Sequence, residues 1–214
     1  MNSTSPKTRA QIAPGATHVA GWLSPARQRE LVAACREWSL PPAGMRTVRM
    51  PSGATMSARQ VSLGWHWTPY RYSRTADDGT PVKPFPSLLG ELARRAVAEV
   101  YGAAVPDYDP DVALVNFYDA AARMGMHQDK DEKSRAPVVS LSLGDACVFR
   151  FGNADGRGKP YVDVRLASGD LFVFGGPSRL AYHGVPKTFP GAGPGDIGLP
   201  SGRLNVTVRV TGLD

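Results

Sequence analysis

Residues 203–210, RLNVTVRV, alternate without a break. Leu204, Val206, Val208 and Val210 fall on one side of an extended chain, and Arg203, Asn205, Thr207 and Arg209 fall on the other. Such a strand buries its apolar face and must satisfy four polar side chains on the second. Either that second face meets water, or it lines the inside of a barrel and becomes the floor of an anion pocket. Strand-like runs near 111–118, 137–143, 147–152, 161–166, 170–174 and 180–184 precede it, divided by Gly, Pro and Asp turns. Helical spacing is confined to two earlier segments. Ser24-Pro25 is a helix start, with the hydroxyl as N-cap and proline at the first position. Leu31, Val32, Cys35 and Trp38 form the apolar stripe of that helix, which Pro41-Pro42 ends. A second helix is predicted from near Ser87, with Leu88, Leu89, Leu92, Ala96, Val97 and Val100 at helical spacing. Two helices followed by many short strands predict a mostly β chain with flanking helices, an α+β arrangement around a double-sheet, jelly-roll core.

At 214 residues the chain is long enough for one globular domain with an elaborated N-terminal part. Residues 1–16, polar with Pro and Gly, are expected to be frayed or extended. The Pro/Gly-rich stretch 186–202 is expected to be a long, mobile loop. Cys35 and Cys147 sit far apart in apolar contexts and read as small buried core residues, not as a disulfide framework. With no recognisable signal peptide and no apolar run long enough to span a bilayer, a cytoplasmic, non-membrane location is expected, with a monomer as the default state. The net charge of +6 favours a polyanionic partner without requiring one.

His127-Gln128-Asp129 and, far downstream, His183 supply two imidazoles and one carboxylate. A bare His-x-Asp is also met in ordinary surface turns, so its setting decides its weight. DVALVNFY (111–118) alternates, with Val112, Leu114, Asn116 and Tyr118 on one face, and a short turn leads from it to HQDKDE. GDLFVFGG (169–176) is a second apolar strand, and SRLAYHGVPK carries His183 into another. Two histidines and one aspartate presented at strand ends can occupy one face of an octahedral ferrous ion, leaving positions for a bidentate co-substrate and for dioxygen. Arg203 and Arg209, at i and i+6 and opposite Asn116 and Tyr118, suit a doubly charged ligand whose burial requires paired cations. A guanidinium can hold one end of a dicarboxylic keto acid through two parallel hydrogen bonds. These parts point to iron(II), 2-oxoglutarate-dependent oxygenation. A zinc hydrolase could use the same three ligands, but it would leave Arg203 and Arg209 unexplained.

Residues 45–74 interleave Trp65, Trp67, Tyr70 and Tyr72 with Arg46, Arg49, Arg59, Arg71 and Arg74. Aromatic faces that stack on bases and guanidinium groups that hold phosphates are what single-strand binders use. A β-hairpin with core-packing aromatics and solvated arginines has the same composition.

LVNFY, HQDKDE, PVVSLSLG, GDLFVFGGPSRLAYHGV and RLNVTVR, in that order and at closely matching spacing, resemble the AlkB family of oxidative nucleic-acid demethylases, in particular its bacterial DNA-repair members. The resemblance runs from about Thr55 to Arg209. It implies a double-stranded β-helix (jelly-roll, cupin-like) core beneath an N-terminal nucleotide-recognition lid. The chain would then divide into an extension with one helix (1–44), the lid (45–84), and a helix with the dioxygenase core (85–214). It implies iron(II), 2-oxoglutarate and dioxygen as reagents. The substrate implied is alkylated single-stranded DNA, with double-stranded DNA and RNA as further candidates. N1-methyladenine and N3-methylcytosine would be demethylated, with release of formaldehyde, succinate and carbon dioxide, as direct-reversal repair.

Carried onto this sequence, the resemblance makes His127, Asp129 and His183 the iron ligands. Asn116, Tyr118, Arg203, Asn205 and Arg209 would hold 2-oxoglutarate, with Thr207 on the same face. Trp65, Tyr70, Tyr72, Asp131 and Arg157 would contact the nucleotide. Asp131 can offer a carboxylate to a base made cationic by methylation, whereas its position also suits a residue that orients a ligand or a solvated charge in DKDEK. Competing functions are an oxygenase acting on RNA only, on a protein or on a small molecule, and a non-catalytic jelly-roll module that binds nucleic acid.

Overall fold

A computed structural model describes residues 8–105 and 107–214. Strands β1 (Arg9–Ala13) and β2 (Ala16–Val19) come first, then helix α1 (Pro25–Trp38), β3 (Arg46–Arg49), β4 (Thr55–Leu63), β5 (His66–Thr68), β6 (Arg71–Ser73) and helix α2 (Ser87–Tyr101). The remainder is β: β7 (Val112–Tyr118), β8 (Met124–His127), β9 (Val138–Gly144), β10 (Ala146–Phe151), β11 (Val162–Leu166), β12 (Leu171–Phe174), β13 (His183–Phe189) and β14 (Arg203–Arg209). Among the described residues, a large sheet has the order β1-β2-β12-β9-β14-β7-β4-β3 and a small one the order β11-β10-β13-β8, while β5 pairs only with β6.

The alternation of β14 finds its cause in this layering. β14 is central, hydrogen-bonded to β7 on one side and β9 on the other. Leu204, Val206 and Val208 join Leu31, Val32 and Cys35 of α1 and Leu89, Leu92, Ala96 and Val97 of α2 in one apolar cluster. The opposite face of the large sheet, through Val138, Phe172 and Phe174, meets Cys147, Phe149, Phe151 and Val185 of the small sheet. The polar row of β14 therefore lies between two sheets of a jelly roll and away from water. Arg203 is 1% exposed and Arg209 7%.

The helices follow their sequence signals. Ser24 Oγ accepts from the amide of Arg27 at 3.3 Å, and proline occupies the first turn of α1. α2 starts at Ser87 behind Pro86 and buries Leu89, Leu92, Ala93, Ala96 and Val97. Both cysteines are buried and free, and burial pushes the Cys35 thiol up to about 12. Among the described residues, no helix is long and apolar enough to cross a membrane.

Three local features add detail to the expectations above. Of the segment 1–16, expected to be frayed or extended, residues 1–7 lie outside the described residues and the rest is extended as β1 and the start of β2. β2 in turn pairs with β12, placing Phe172 opposite His18. Their partner lies some 150 residues away in sequence, so no local pattern announces them. The loop expected from Pro186 begins later, because β13 continues to Phe189 on β10. Pro186 is tolerated there because it sits at a register shift and beyond the end of β8, where no second neighbour needs its amide. Within residues 45–84, β3 and β4 belong to the large sheet through β7, and the β5–β6 hairpin stands outside it.

Candidate metal centre and co-substrate pocket

His183 and His127 are direct cross-strand partners on β13 and β8. Gly184 permits the approach: a Cβ there would lie 2.7 Å from the Met124 carbonyl oxygen. The imidazole rings are consequently 4.5 Å apart between centroids. Each Nδ1 hydrogen-bonds a carbonyl two residues back, Gly125 at 2.9 Å for His127 and Ala181 at 3.0 Å for His183. That bond places the proton on Nδ1 and leaves Nε2 as the free donor atom.

Asp129, just past the end of β8, completes the cluster. Its Oδ1 is 3.7 Å from His127 Nε2 and its Oδ2 3.7 Å from His183 Nε2. These distances are too long for hydrogen bonds and right for three ligands around one ion, with all three donor atoms within 4.8 Å of one another. Oδ2 is buried without a hydrogen-bond partner in the protein. Burial works against ionisation of Asp129, but Arg209, then His183 and His127, hold its carboxyl down to about 2. Burial pushes the His183 imidazole down to about 4, against the pull of Asp129, so it is neutral at pH 7 as a ligand must be. An anionic carboxylate oxygen and two imidazole Nε2 atoms fit a divalent metal.

The second end of the pocket is built by β14 and its neighbours. Arg203 lies opposite Tyr118, and Asn205 lies opposite Asn116. Arg203 Nη2 donates to Ser142 Oγ at 3.0 Å, while Nε and Nη1 have no hydrogen-bond partner in the protein. A buried guanidinium with Nε and Nη1 left unpartnered calls for an anionic ligand in the pocket to accept from it. Gln60 Nε2 donates to Asn116 Oδ1 at 3.0 Å, which turns the Asn116 amide nitrogen free for a ligand. Tyr118 makes only a long contact, 3.8 Å, with Met124 Sδ. Asn205 Nδ2 donates to Ser140 Oγ at 2.8 Å, and Thr207 Oγ1 donates to Asn205 Oδ1 at 3.0 Å. The pocket these residues line runs from His127, Asp129 and His183 to Arg203, with Phe149 and Phe174 as an apolar wall.

Arg209 sits at the metal end. Its Nη2 is 2.8 Å from Asp129 Oδ1 and its Nη1 2.9 Å from Glu132 Oε1, leaving only Nε without a partner. Three residues that sequence patterns do not single out support the same corner. Arg179, 3% exposed, donates to the Asp129 carbonyl at 2.5 Å and to Glu132 Oε2 at 3.0 Å. Glu132 looks in sequence like one more charge in a solvated run, yet it is buried. Gln128 Nε2 donates to the Leu180 carbonyl at 2.7 Å, tying the segment between the two ligands to the approach of β13.

The aromatic residues of the β5–β6 region divide. Trp65 is buried against Val112 and Leu114, its Nε1 donates to Asp111 Oδ2 at 2.9 Å, and the Arg74 guanidinium lies 3.4 Å over its ring. Trp67 is half-buried and donates to Asp131 Oδ2 at 2.8 Å. Tyr72 donates to Glu132 Oε1 at 2.5 Å. Tyr70 is 64% exposed and adopts φ 74°, following Pro69 in a two-residue turn. Proline followed by positive φ is the pattern of a type II turn, in which glycine would be the unstrained choice. Arg157 is exposed in the loop after β10, with its guanidinium 6.0 Å from the Tyr182 ring centre.

The chain matches the model of the 2OG-Fe(II) oxygenase superfamily over residues 15–209. It is 39% identical over 205 residues to an alpha-ketoglutarate-dependent dioxygenase AlkB homolog of Caulobacter vibrioides, covering 92% of this chain and 88% of that one. The chain belongs to the AlkB family. An AlkB-family oxygenase uses iron(II), 2-oxoglutarate and dioxygen, which suits the two ends of this pocket. The chain is also 30% identical over 220 residues to the DNA N(6)-methyladenine demethylase ALKBH1D of Arabidopsis thaliana, covering 92% of this chain and about half (50%) of that longer relative. The solved structure of OsALKBH1 superposes with a TM-score of 0.84 at 30% identity, covering 95% of this chain and 100% of that one.

Proposed function

We propose that this chain oxidatively demethylates alkylated bases of nucleic acid, acting as a cytoplasmic monomer on single-stranded DNA. The observation that carries the chemistry is the pairing, in one pocket, of the His127–Asp129–His183 cluster with the unpartnered guanidinium of Arg203. When bound there, iron(II) and 2-oxoglutarate activate dioxygen, so that one oxygen atom enters the methyl group and the other enters succinate as carbon dioxide leaves. His127, Asp129 and His183 hold the metal. Arg203 holds the far carboxylate of the co-substrate, with Asn116, Tyr118, Asn205, Thr207 and Arg209 lining its path. Burial of Asp129, His183, Arg203 and Arg209 keeps bulk water from the inner part of the pocket. The hydroxymethyl product then releases formaldehyde.

The nucleic-acid substrate is supported by the names of relatives and by the open side of the pocket. A methyl on the pairing edge weakens base pairing and lowers the cost of extruding that base. Trp67 holds one carboxylate oxygen of Asp131, which leaves Oδ1 for the base. Exposed Tyr70 offers a stacking face and Arg157 a phosphate contact. The assay is mass spectrometry of single-stranded DNA carrying one N3-methylcytosine, incubated with iron(II), ascorbate and 2-oxoglutarate beside a His183→Ala control. Loss of the methyl with formaldehyde and succinate, absent in the control, is the expected result. Succinate without a change in the oligonucleotide would place the substrate elsewhere. A parallel N6-methyladenine strand tests the activity named for the Arabidopsis relative.

Tyr70 and Trp65 should separate recognition from folding. Tyr70→Gly relieves a strained backbone, so the melting temperature is expected to hold or rise, while the loss of one stacking face weakens oligonucleotide binding by about 1–3 kcal/mol, or roughly 5- to 150-fold. Trp65→Phe removes the donor to Asp111 and is expected to cost about 1–2 kcal/mol of stability. Thermal melts and fluorescence anisotropy of the two variants distinguish the effects. Equal binding loss in both, with neither destabilised, would return Trp65 to the base-stacking role.

A further inference from the structure

The geometry points to Glu132 as a positioning residue that couples metal occupancy to the order of the β5–β6 hairpin. This inference rests on the metal site proposed above. Glu132 has a fully buried side chain. Its Oε1 accepts from Tyr72 Oη at 2.5 Å and from Arg209 Nη1 at 2.9 Å, and its Oε2 accepts from Arg179 Nη2 at 3.0 Å. Both arginines also grip Asp129. Arg209 Nη2 meets its carboxylate at 2.8 Å, and Arg179 Nη1 meets its backbone carbonyl at 2.5 Å. Two carboxylates and two guanidinium groups thus form one compact, buried set in which no member can shift without displacing the others.

Tyr72 is where this set reaches the hairpin. Among the described residues, β5 and β6 pair only with each other, with Trp67 opposite Tyr72. An isolated two-stranded hairpin is marginal in water, so its order depends on its anchors. Ser62 Oγ accepts from the Trp67 amide at 3.2 Å, and Arg46 donates to the Trp67 carbonyl, both outside the metal segment. Trp67 and Tyr72 also pack against Trp65, Val112 and Leu114, and His66 Nε2 lies 3.3 Å from Asp77 Oδ1. Two further side-chain bonds, Tyr72 to Glu132 and Trp67 to Asp131, lead to the segment that begins with Asp129. A cation that fixes the Asp129 carboxylate fixes Arg209, and Arg209 reaches the Tyr72 hydroxyl both through Glu132 and directly, Nη1 donating to Tyr72 Oη at 3.2 Å. The hairpin is the element that carries Tyr70, so metal loading would prepare the face that meets substrate.

The test is hydrogen exchange of the amides of residues 66–73 in the full chain, with and without Co(II) as an air-stable stand-in for iron(II). Co(II) binding is followed separately by calorimetry. In the wild type, Co(II) is expected to slow exchange in the hairpin by roughly fivefold or more, the size of an ordinary coupling. In Glu132→Gln and in Tyr72→Phe, Co(II) should still bind, but the slowing should fall below about twofold. Tyr72→Phe removes one hydroxyl and leaves both arginines paired, so it decides the matter if Glu132→Gln does not fold. A purely structural role for Glu132 would raise exchange equally with and without Co(II), leaving their ratio unchanged. That unchanged ratio in both variants, or a wild type in which bound Co(II) slows nothing, overturns the coupling. A wild type that binds no Co(II), or binding that survives His183→Ala, instead overturns the metal site and the coupling with it.

Discussion

Replacing Arg203 by alanine is expected to raise the 2-oxoglutarate concentration for half-maximal turnover by about 30-fold or more, with iron binding retained. Losing one partner of a buried, hydrogen-bonded charge pair costs about 2–5 kcal/mol, and the lower figure already corresponds to about 30-fold. The protein itself should not be weakened. Arg203 has no acidic partner among the described residues, so in the absence of co-substrate its guanidinium is a buried charge held by one hydroxyl, Ser142. Removing such a charge relieves a desolvation cost, and the melting temperature of the metal-free variant should equal or exceed that of the wild type. Arg203→Lys keeps the charge and loses the planar fork, so it should recover only part of the affinity. Calorimetric titration of 2-oxoglutarate into the Co(II)-loaded protein, with melts of the same samples, measures both effects. A half-saturation within about threefold of the wild type would remove Arg203 from the co-substrate site.

The row that includes Arg203 was legible because strand alternation is local: four polar residues in register had to share one face of β14. Whether that face met water or a ligand was not local, and depended on the small sheet that closes over it. His127 and His183 were legible as residue types that bind metals, but their juxtaposition depends on a cross-strand register set by β8 and β13. Glu132 and Arg179 could not be found in the same way. Buried ion pairs leave no periodic trace, and DKDEK reads as a solvated run until Arg179, Arg209 and Tyr72 converge on it from three distant segments. Trp65 and Trp67 show a similar limit. Both lie in one short stretch, yet Asp111 and Arg74 hold the first while Asp131 holds the second, and only the fold brings those acids near.

Arg209 is the counterpart of Arg203, six residues along the same strand face, and its replacement is expected to do the opposite. In Arg209→Met the carboxylates of Asp129 and Glu132 lose the cation between them, which sits 2.8 Å from one and 2.9 Å from the other. Breaking a buried pair in this way leaves uncompensated charge and costs about 3–5 kcal/mol of folding stability in the metal-free protein. Arg179 stays bonded to Glu132 and to the Asp129 backbone, so the variant should fold, with its midpoint in urea shifted and its slope unchanged. Saturating Co(II) should restore part of the loss, because a divalent cation supplies at Asp129 the charge that the guanidinium no longer provides. Urea denaturation of wild type, Arg203→Ala and Arg209→Met, each with and without Co(II), places the two arginines side by side. The expected pattern is a stable Arg203 variant with poor 2-oxoglutarate binding and an unstable Arg209 variant that metal partly rescues. Stability of the metal-free Arg209 variant within about 1 kcal/mol of the wild type would mean that the ion pairs contribute little, and would shift Arg209 toward a direct part in holding 2-oxoglutarate.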